Sequence, residues 1–106
     1  MNNPSQALTE KQKKQLRGLA HHLEPVVRLG NAGITEAVLA ELDAALSHHE
    51  LIKVKVVAAD RASRDEMIAS IAASSGATVV TRIGNVAVLF RPSPGGSRLL
   101  APKPAA

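Results

Sequence analysis

Residues 26–33 read Val-Val-Arg-Leu-Gly-Asn-Ala-Gly, and this stretch decides how the elements on either side of it connect. Its first four residues are typical of a short strand, and Gly30 and Gly33 follow as a Gly-x-x-Gly turn before an amphipathic segment. A strand that turns through glycines into a helix exposes the first backbone N–H groups of that helix, which lack partners inside it. Those groups and the positive end of the helix dipole favour an anion such as phosphate. On its own, such a turn is more often plain chain geometry than a binding site.

The spacing of apolar residues predicts a helix on each side of this turn. The upstream helix begins at a capping box that starts at Thr9, and Pro25 closes it because the residue before a proline avoids helical geometry. The downstream helix is capped by Thr35 or Gly33 and runs to about His49.

A third helix and three further strands complete the pattern. The helix begins at a second capping box, Ser63 with Glu66, and Gly76 ends it. Residues 51–58 alternate apolar and basic side chains, which predicts a strand with one buried and one wet face. Two more strands are predicted at 77–83 and 86–90, joined by the hairpin turn Gly84-Asn85.

The order of these elements predicts the fold class. A helix followed by β-α-β-α-β-β indicates an α/β fold, a two-layer sandwich with a mixed four-stranded sheet. Both β-α-β connections are expected to be right-handed, which places the second and third helices on the same side of the sheet. We divide the chain into a flexible leader at residues 1–7, a domain at 8–92 and a disordered, basic Pro/Gly-rich tail at 93–106.

Composition narrows the functional classes. The 106 residues suffice for one domain, and they include no cysteine and a single aromatic residue, Phe90. Without cysteine there is neither a disulfide framework nor a thiolate nucleophile. No apolar run has membrane-spanning length and no signal-peptide pattern opens the chain, so we expect a cytoplasmic protein with no membrane partner. No Gly-x-Ser-x-Gly elbow is present, and the acids cluster on one helix instead of forming a general acid/base pair, so we expect no enzyme. We also expect no cofactor and no small-molecule substrate. The protein is expected to be a monomer.

Charge is unevenly distributed along the chain. Residues 1–33 carry five basic and two acidic side chains, whereas residues 34–50 carry four acids and no Lys or Arg. The net charge of +4 therefore comes from every segment except the second helix. We expect a two-faced domain in which the four acids line the outside of that helix and a basic face meets a polyanion.

The basic residues come from several elements and are all expected on the face that lacks acids. A sheet that reads single strands by stacking needs aromatic side chains, and one Phe cannot supply them. The remaining mode is recognition of the backbone and shape of the nucleic acid, which suits structured RNA. Duplex DNA is not excluded, although the sequence contains no helix-turn-helix or zinc-finger pattern. The predicted RNA-binding residues are Gly30, Asn31, Ala32, Gly33, Arg28, Lys11, Lys14, Arg17, His21, Lys53, Lys55, Arg82 and Arg91.

Four histidines form two doublets, His21-His22 and His48-His49, at the ends of predicted helices, where imidazole suits the helix dipole. Adjacent residues on a helix point about 100° apart, so neither doublet is a natural metal pair, and we predict no metal site. His21 is better suited to contact phosphate near the turn. Two alternatives stay open: a protein-interaction adaptor whose working face is the acidic second helix, and a small hydrolase or metal enzyme that uses one of the doublets.

Several motifs, taken in order, resemble one known family. They are Leu8-Thr9-x-Lys11-Gln12, Gly18-Leu19-Ala20-His21, Pro25-Val26-Val27-x-Leu29-Gly30-x-x-Gly33, Glu50-Leu51-Ile52-Lys53-Val54-Lys55, Ile83-Gly84 and Leu89-x-Arg91-Pro92. Together they span residues 8–92 and resemble the CRM domain (chloroplast RNA splicing and ribosome maturation), most of all its stand-alone bacterial YhbY-like form. The resemblance implies a sandwich related to the C-terminal domain of translation initiation factor three. It also implies RNA binding through the Gly-x-x-Gly turn and adjoining basic surface, and association of the bacterial members with precursors of the large ribosomal subunit.

Two positions depart from the family pattern. Asn31-Ala32 places no Lys or Arg between the glycines, so we expect the turn to contact phosphate through its backbone. Phe90 stands where many relatives carry tyrosine, and it lacks that hydroxyl. We therefore predict a non-enzymatic protein that binds structured ribosomal RNA during assembly of the large ribosomal subunit.

Overall fold

The computed structural model describes residues 8–30 and 32–100. The element order is a helix followed by β-α-β-α-β-β, as predicted. Within the described ranges the elements are α1 (Glu10–Ala20), β1 (Pro25–Leu29), α2 (Glu36–His49), β2 (Leu51–Val56), α3 (Arg61–Ser75), β3 (Thr78–Ile83) and β4 (Val86–Phe90).

The four strands form one mixed sheet in the order β1-β2-β4-β3. Strands β1 and β2 are parallel, whereas β4 runs antiparallel to both of its neighbours. The turn between β3 and β4 needs a left-handed residue, which Gly84 supplies with φ 61°. The predicted α/β class and mixed four-stranded sheet are confirmed.

Each face of the sheet packs against different helices, because successive side chains of a strand point to opposite faces. Ile52, Val54 and Val56 of β2 are buried in one cluster with residues of α2 and α3, as the right-handed connections predict. Leu51 of the same strand is buried in a second cluster with α1. The sandwich of sheet and two helices therefore carries a partial third layer, α1, on its other face.

Side chains that accept backbone N–H bonds set the starts of the helices. Thr9 forms the predicted capping box of α1, and Thr35 caps α2 through the amide of Val38 at 3.1 Å. The predicted cap of α3 was wrong: Asp60, not Ser63, occupies the cap position, and its carboxylate accepts from the Ser63 amide at 2.7 Å. A carboxylate at this position also interacts favourably with the helix dipole, which a serine hydroxyl does only weakly.

Glu50 is buried, which corrects the prediction that all four acids line the outside of α2. It follows the last turn of α2 with φ 67°, a left-handed conformation that redirects its side chain. Its carboxylate accepts hydrogen bonds from Ser93, Ser97 and the backbone amide of Arg98. Burial alone raises the pKa of Glu50, but these bonds outweigh it and lower the pKa to about 2.

Ser93 and residues 97–100, which belong to the segment predicted as a tail, contact the domain. The Arg98 side chain donates to the carbonyls of Ser47 and His48 at the end of α2. Leu99 and Leu100 pack against the cluster beneath α1. Residues 101–106 and the predicted leader at 1–7 lie outside the described residues.

Candidate nucleic-acid interface

The α1 face of the sheet carries basic side chains from two neighbouring strands. Val27 and Leu29 of β1 are buried on the α2 side, so Arg28 between them points to the α1 side. Arg28 is the register partner of Lys55 in β2, and Lys53 precedes Lys55 on the same face. The alternation that buries one side of β1 and β2 therefore presents three cations on the other.

Helix α1, which packs on β2 and β3, adds further cations to this face. Lys11, Lys14 and Arg17 are exposed and follow helical spacing along one side of α1. None of these three forms an ion pair within the described ranges, whereas the neighbouring Lys13 pairs with Glu10 at 3.6 Å. Their charges are thus available to an external anion.

A groove of about 420 Å³ separates α1 from the sheet. The basic side chains along it are Lys14, Arg17 and His21 of α1 and Lys53 of β2. Its remaining lining is formed by Gly18, Ala20, Thr81, Ile83 and Val88. The groove therefore joins a cationic border to a mostly apolar lining.

Lys53 is held in a fixed position at this groove. Its Nζ donates to the carbonyl oxygen of Leu23 at 3.0 Å, which ties the connection between α1 and β1 to the sheet. An ammonium group has three N–H donors, so two remain for a ligand. Lys53 thus combines a structural contact with a charge that faces the groove.

The Gly-x-x-Gly turn is open on its outer side. The Gly33 amide donates to the Gly30 carbonyl at 2.9 Å, and Gly33 has φ 72°, a conformation that strains any residue with a Cβ. A Cβ added at Gly30 or Gly33 would meet no described atom within 4 Å, and Ala32 is exposed. Asn31, the other predicted contact in the turn, lies outside the described residues.

The start of α2 offers two backbone donors beside this turn. The Thr35 side chain occupies the amide of Val38, and the amides of Glu36 and Ala37 have no acceptor within the helix. Glu36 also brings a carboxylate to this first turn, which opposes an anion there. The attraction of the helix start for phosphate therefore depends on the surrounding cations.

Arg82 and Arg91, which we predicted as binding residues, are not brought together with the others. Arg82 is the register partner of Ala87 on the α2/α3 side and pairs with Asp65 of α3. Arg91 donates to both the side chain and the backbone carbonyl of Asp43, at 2.8 and 3.1 Å. It also donates to Ser47 Oγ and to the Ser75 carbonyl, both at 2.8 Å. These two arginines join helices α2 and α3 to the sheet.

One member of each histidine doublet, His22 and His49, lines a second cavity of about 220 Å³. His21 lines the groove beside α1, while the rings of His48 and His49 contact each other edge to face at 4.6 Å. Over residues 8–30 and 32–100, no three side chains of His, Cys, Asp or Glu are grouped so that they could hold a metal ion. In the same part of the chain no helix is long and apolar enough to cross a membrane.

The sequence did not reveal the groove itself or the set of bonds around Glu50. Thr81 and Ile83 gave no signal as candidate residues, because their neighbourhood depends on which face of β3 meets α1. Gly18 did give a signal, since a glycine inside a helix is unfavourable by about 1 kcal/mol relative to alanine. Its position on the wall of the groove is consistent with the close approach of a ligand.

Together, the fold and the site define a small α/β domain that gathers cations from α1, β1 and β2 on one face of a mixed sheet. The CRS1 / YhbY (CRM) domain pattern matches residues 8–91. The chain therefore belongs to this family, and the resemblance drawn from its motifs is confirmed.

Individual relatives agree with this assignment. The chain is 56% identical over 86 residues to an RNA-binding protein of Haemophilus influenzae, covering 81% of this chain and 87% of that one. It is 43% identical over 95 residues to a protein of Pseudomonas aeruginosa named "Probable RNA-binding protein", covering 90% and 91% of the two chains. A solution structure from Staphylococcus aureus, described as a hypothetical protein and a candidate RNA binder, matches with a TM-score of 0.71 and 34% identity. That match covers 82% of this chain and 91% of that one.

Proposed function

We propose that this protein binds RNA through the α1 face of its sheet, without catalysing a reaction. The observation that carries the proposal is the placement of Arg28, Lys55, Lys14 and Arg17, cations from three separate elements, on one face. The acids of α2 belong to the other side of the sheet. Such a separation of charge suits a polyanion that meets one side of the domain. The names of the relatives add independent support, since they describe RNA-binding proteins.

In the proposed complex, the basic side chains contact phosphates and the glycine turn contributes backbone amides. Phe90, the single aromatic residue, is buried under α1, so bases would not stack on aromatic side chains of the sheet. Phosphate and shape recognition then supplies most of the affinity, which favours a folded RNA over an extended single strand.

We further propose that the RNA is ribosomal RNA within precursors of the large ribosomal subunit. The protein would bind it in the cytoplasm as a monomer. This proposal rests on what the family resemblance implies for stand-alone bacterial members and on the match over residues 8–91. The rival adaptor function is less favoured, because Asp43 already pairs with Arg91 and Glu50 is buried. Within the described residues, Glu36 and Glu41 are the acids of α2 that form no ion pair.

The test is charge reversal at Lys14 and Arg28 with measurement of RNA affinity over a range of salt concentrations. Each lost phosphate contact reduces the slope of log affinity against log salt by roughly 0.7–0.9. We expect the double variant to bind a structured RNA more weakly and with a slope reduced by about 1.5. Arg61→Glu is a single-reversal control, because Arg61 is exposed on α3, the helix that packs with α2 on the other face of the sheet. Unchanged affinity and slope in a folded double variant would contradict the proposal.

A further inference from the structure

The groove between α1 and the sheet has the size and the partly apolar lining of a site for one small chemical group. Its volume of about 420 Å³ lies within the usual range of small-ligand sites. The buried residues Ala20 and Val88 and the exposed Ile83 belong to its lining. Ile83 is 63% exposed, more than any other large apolar side chain in the described part of the chain.

An uninterrupted RNA duplex would leave this lining unused. Its bases stay stacked inside the helix and present phosphates and sugar hydroxyls to a protein. A base that leaves the stack offers two apolar faces and a polar edge. One face can pack against the exposed side chain of Ile83, and the edge can meet the Thr81 hydroxyl or the ammonium group of Lys53. The sugar-phosphate of the same nucleotide would then lie beside Lys14 and Arg17 on the border of the groove.

Gly18 supplies an independent observation. It lies inside α1, where glycine is unfavourable by about 1 kcal/mol relative to alanine. No packing contact requires it, since a Cβ added there would meet no described atom within 4 Å. Gly18 lies on the wall of the groove, so its missing side chain keeps the groove wide for a ligand.

We propose that the groove receives a single nucleotide unstacked from the RNA, so that the preferred partner is a helix interrupted by an unpaired nucleotide. The proposal rests on the proposed RNA-binding function and names its substrate class. The cations on the α1 face hold the flanking helix by its phosphates, and the groove distinguishes an interrupted helix from a continuous one.

Two RNA hairpins with the same stem provide the test, one fully paired and one carrying a single bulged 2-aminopurine. We expect the wild-type protein to bind the bulged hairpin about tenfold more tightly, and the 2-aminopurine fluorescence to rise as that base leaves the stack. In Gly18→Leu, a leucine side chain fills the groove without changing any charge. This variant should bind the two hairpins with equal affinity and lose the fluorescence change.

Two further variants make the result specific. Ile83→Ser removes part of the apolar wall and should also abolish the preference. Ala69→Leu adds the same side chain as Gly18→Leu, but on the exposed side of α3, and should leave the preference intact. Circular dichroism and thermal unfolding check that each variant is folded.

The outcomes separate the groove from the wider function. Equal wild-type affinity for the two hairpins, with a normal salt slope, overturns the groove proposal and leaves the RNA-binding function standing. An equal loss of both affinities in Gly18→Leu also overturns it. If the wild-type protein binds neither hairpin, the proposed function fails and the groove proposal fails with it.

Discussion

Replacing Glu50 by glutamine should destabilise the protein strongly at neutral pH. The Glu50 side chain is only 1% exposed, and its carboxylate accepts hydrogen bonds from Ser93, Ser97 and Arg98. Glutamine has nearly the same shape but no charge, and its NH₂ group would face backbone and hydroxyl donors. At least one buried donor therefore loses its acceptor.

The size of this destabilisation follows from the pKa of Glu50. Hydrogen bonds lower it from 4.5 to about 2 despite burial, and one pKa unit corresponds to about 1.4 kcal/mol. The charged carboxylate thus contributes about 3 kcal/mol to the free energy of unfolding. Because the folded pKa is the lower one, this contribution is fully present above about pH 5 and is lost as the pH falls through about 2. For a domain of this size, a loss of about 3 kcal/mol lowers Tm by roughly 15 °C.

Urea unfolding of wild type and Glu50→Gln at a series of pH values measures this contribution. The difference between their free energies of unfolding should be about 3 kcal/mol at pH 7 and shrink towards zero near pH 2. Taking the difference removes the common effect of other carboxylates. Glu41→Gln is the matched control, because Glu41 is exposed on the same helix, and it should change stability by less than about 0.5 kcal/mol.

Parallel pH profiles for wild type and Glu50→Gln would refute the reasoning. They would mean that the Glu50 carboxylate has an ordinary pKa and that residues 93–100 are not held by it.

Other substitutions test individual contacts, each by urea unfolding. Arg91→Ala should lower the free energy of unfolding by about 2 kcal/mol, because it breaks the hydrogen bonds to Asp43 and Ser75. The same variant should keep the RNA affinity of the wild type. A large loss of RNA affinity without destabilisation would contradict this assignment. Asp60→Ala should cost about 1 kcal/mol by removing the cap of α3. Gly18→Ala should stabilise α1 by up to about 1 kcal/mol, and a destabilised variant would show that a methyl group at this position meets a close neighbour.

Alternation along the strands made much of the fold predictable. In β2 the apolar residues alternate with Lys53 and Lys55, so the pattern alone assigns the buried and exposed faces of this strand. The turn at Gly30 and Gly33 likewise marked the junction of β1 and α2. These features depend on local periodicity, which one sequence carries in full.

The features that the sequence did not predict depend on contacts between residues that are distant along the chain. Glu50 is the last of the four acids in residues 34–50 and was assigned to the outside of α2. In the structure its carboxylate accepts hydrogen bonds from residues 43 to 49 positions further along the chain. Arg82 could be placed only once its register with Ala87 was known. The start of α3 was placed three residues too late, because Ser63 and Glu66 match the spacing of a capping box whereas the carboxylate of Asp60 caps the helix. A basic side chain thus indicates its function only when its face of the sheet is known.

The most direct test of the central claim is an NMR titration of the ¹⁵N-labelled protein with a structured RNA hairpin. If the α1 face binds RNA, the largest chemical-shift changes should fall on α1, on the glycine turn and on Arg28 and Lys55, while the outer surface of α2 and α3 stays unchanged. Changes concentrated on the outer surface of α2 and α3, with the turn and Arg28 unaffected, would contradict the account.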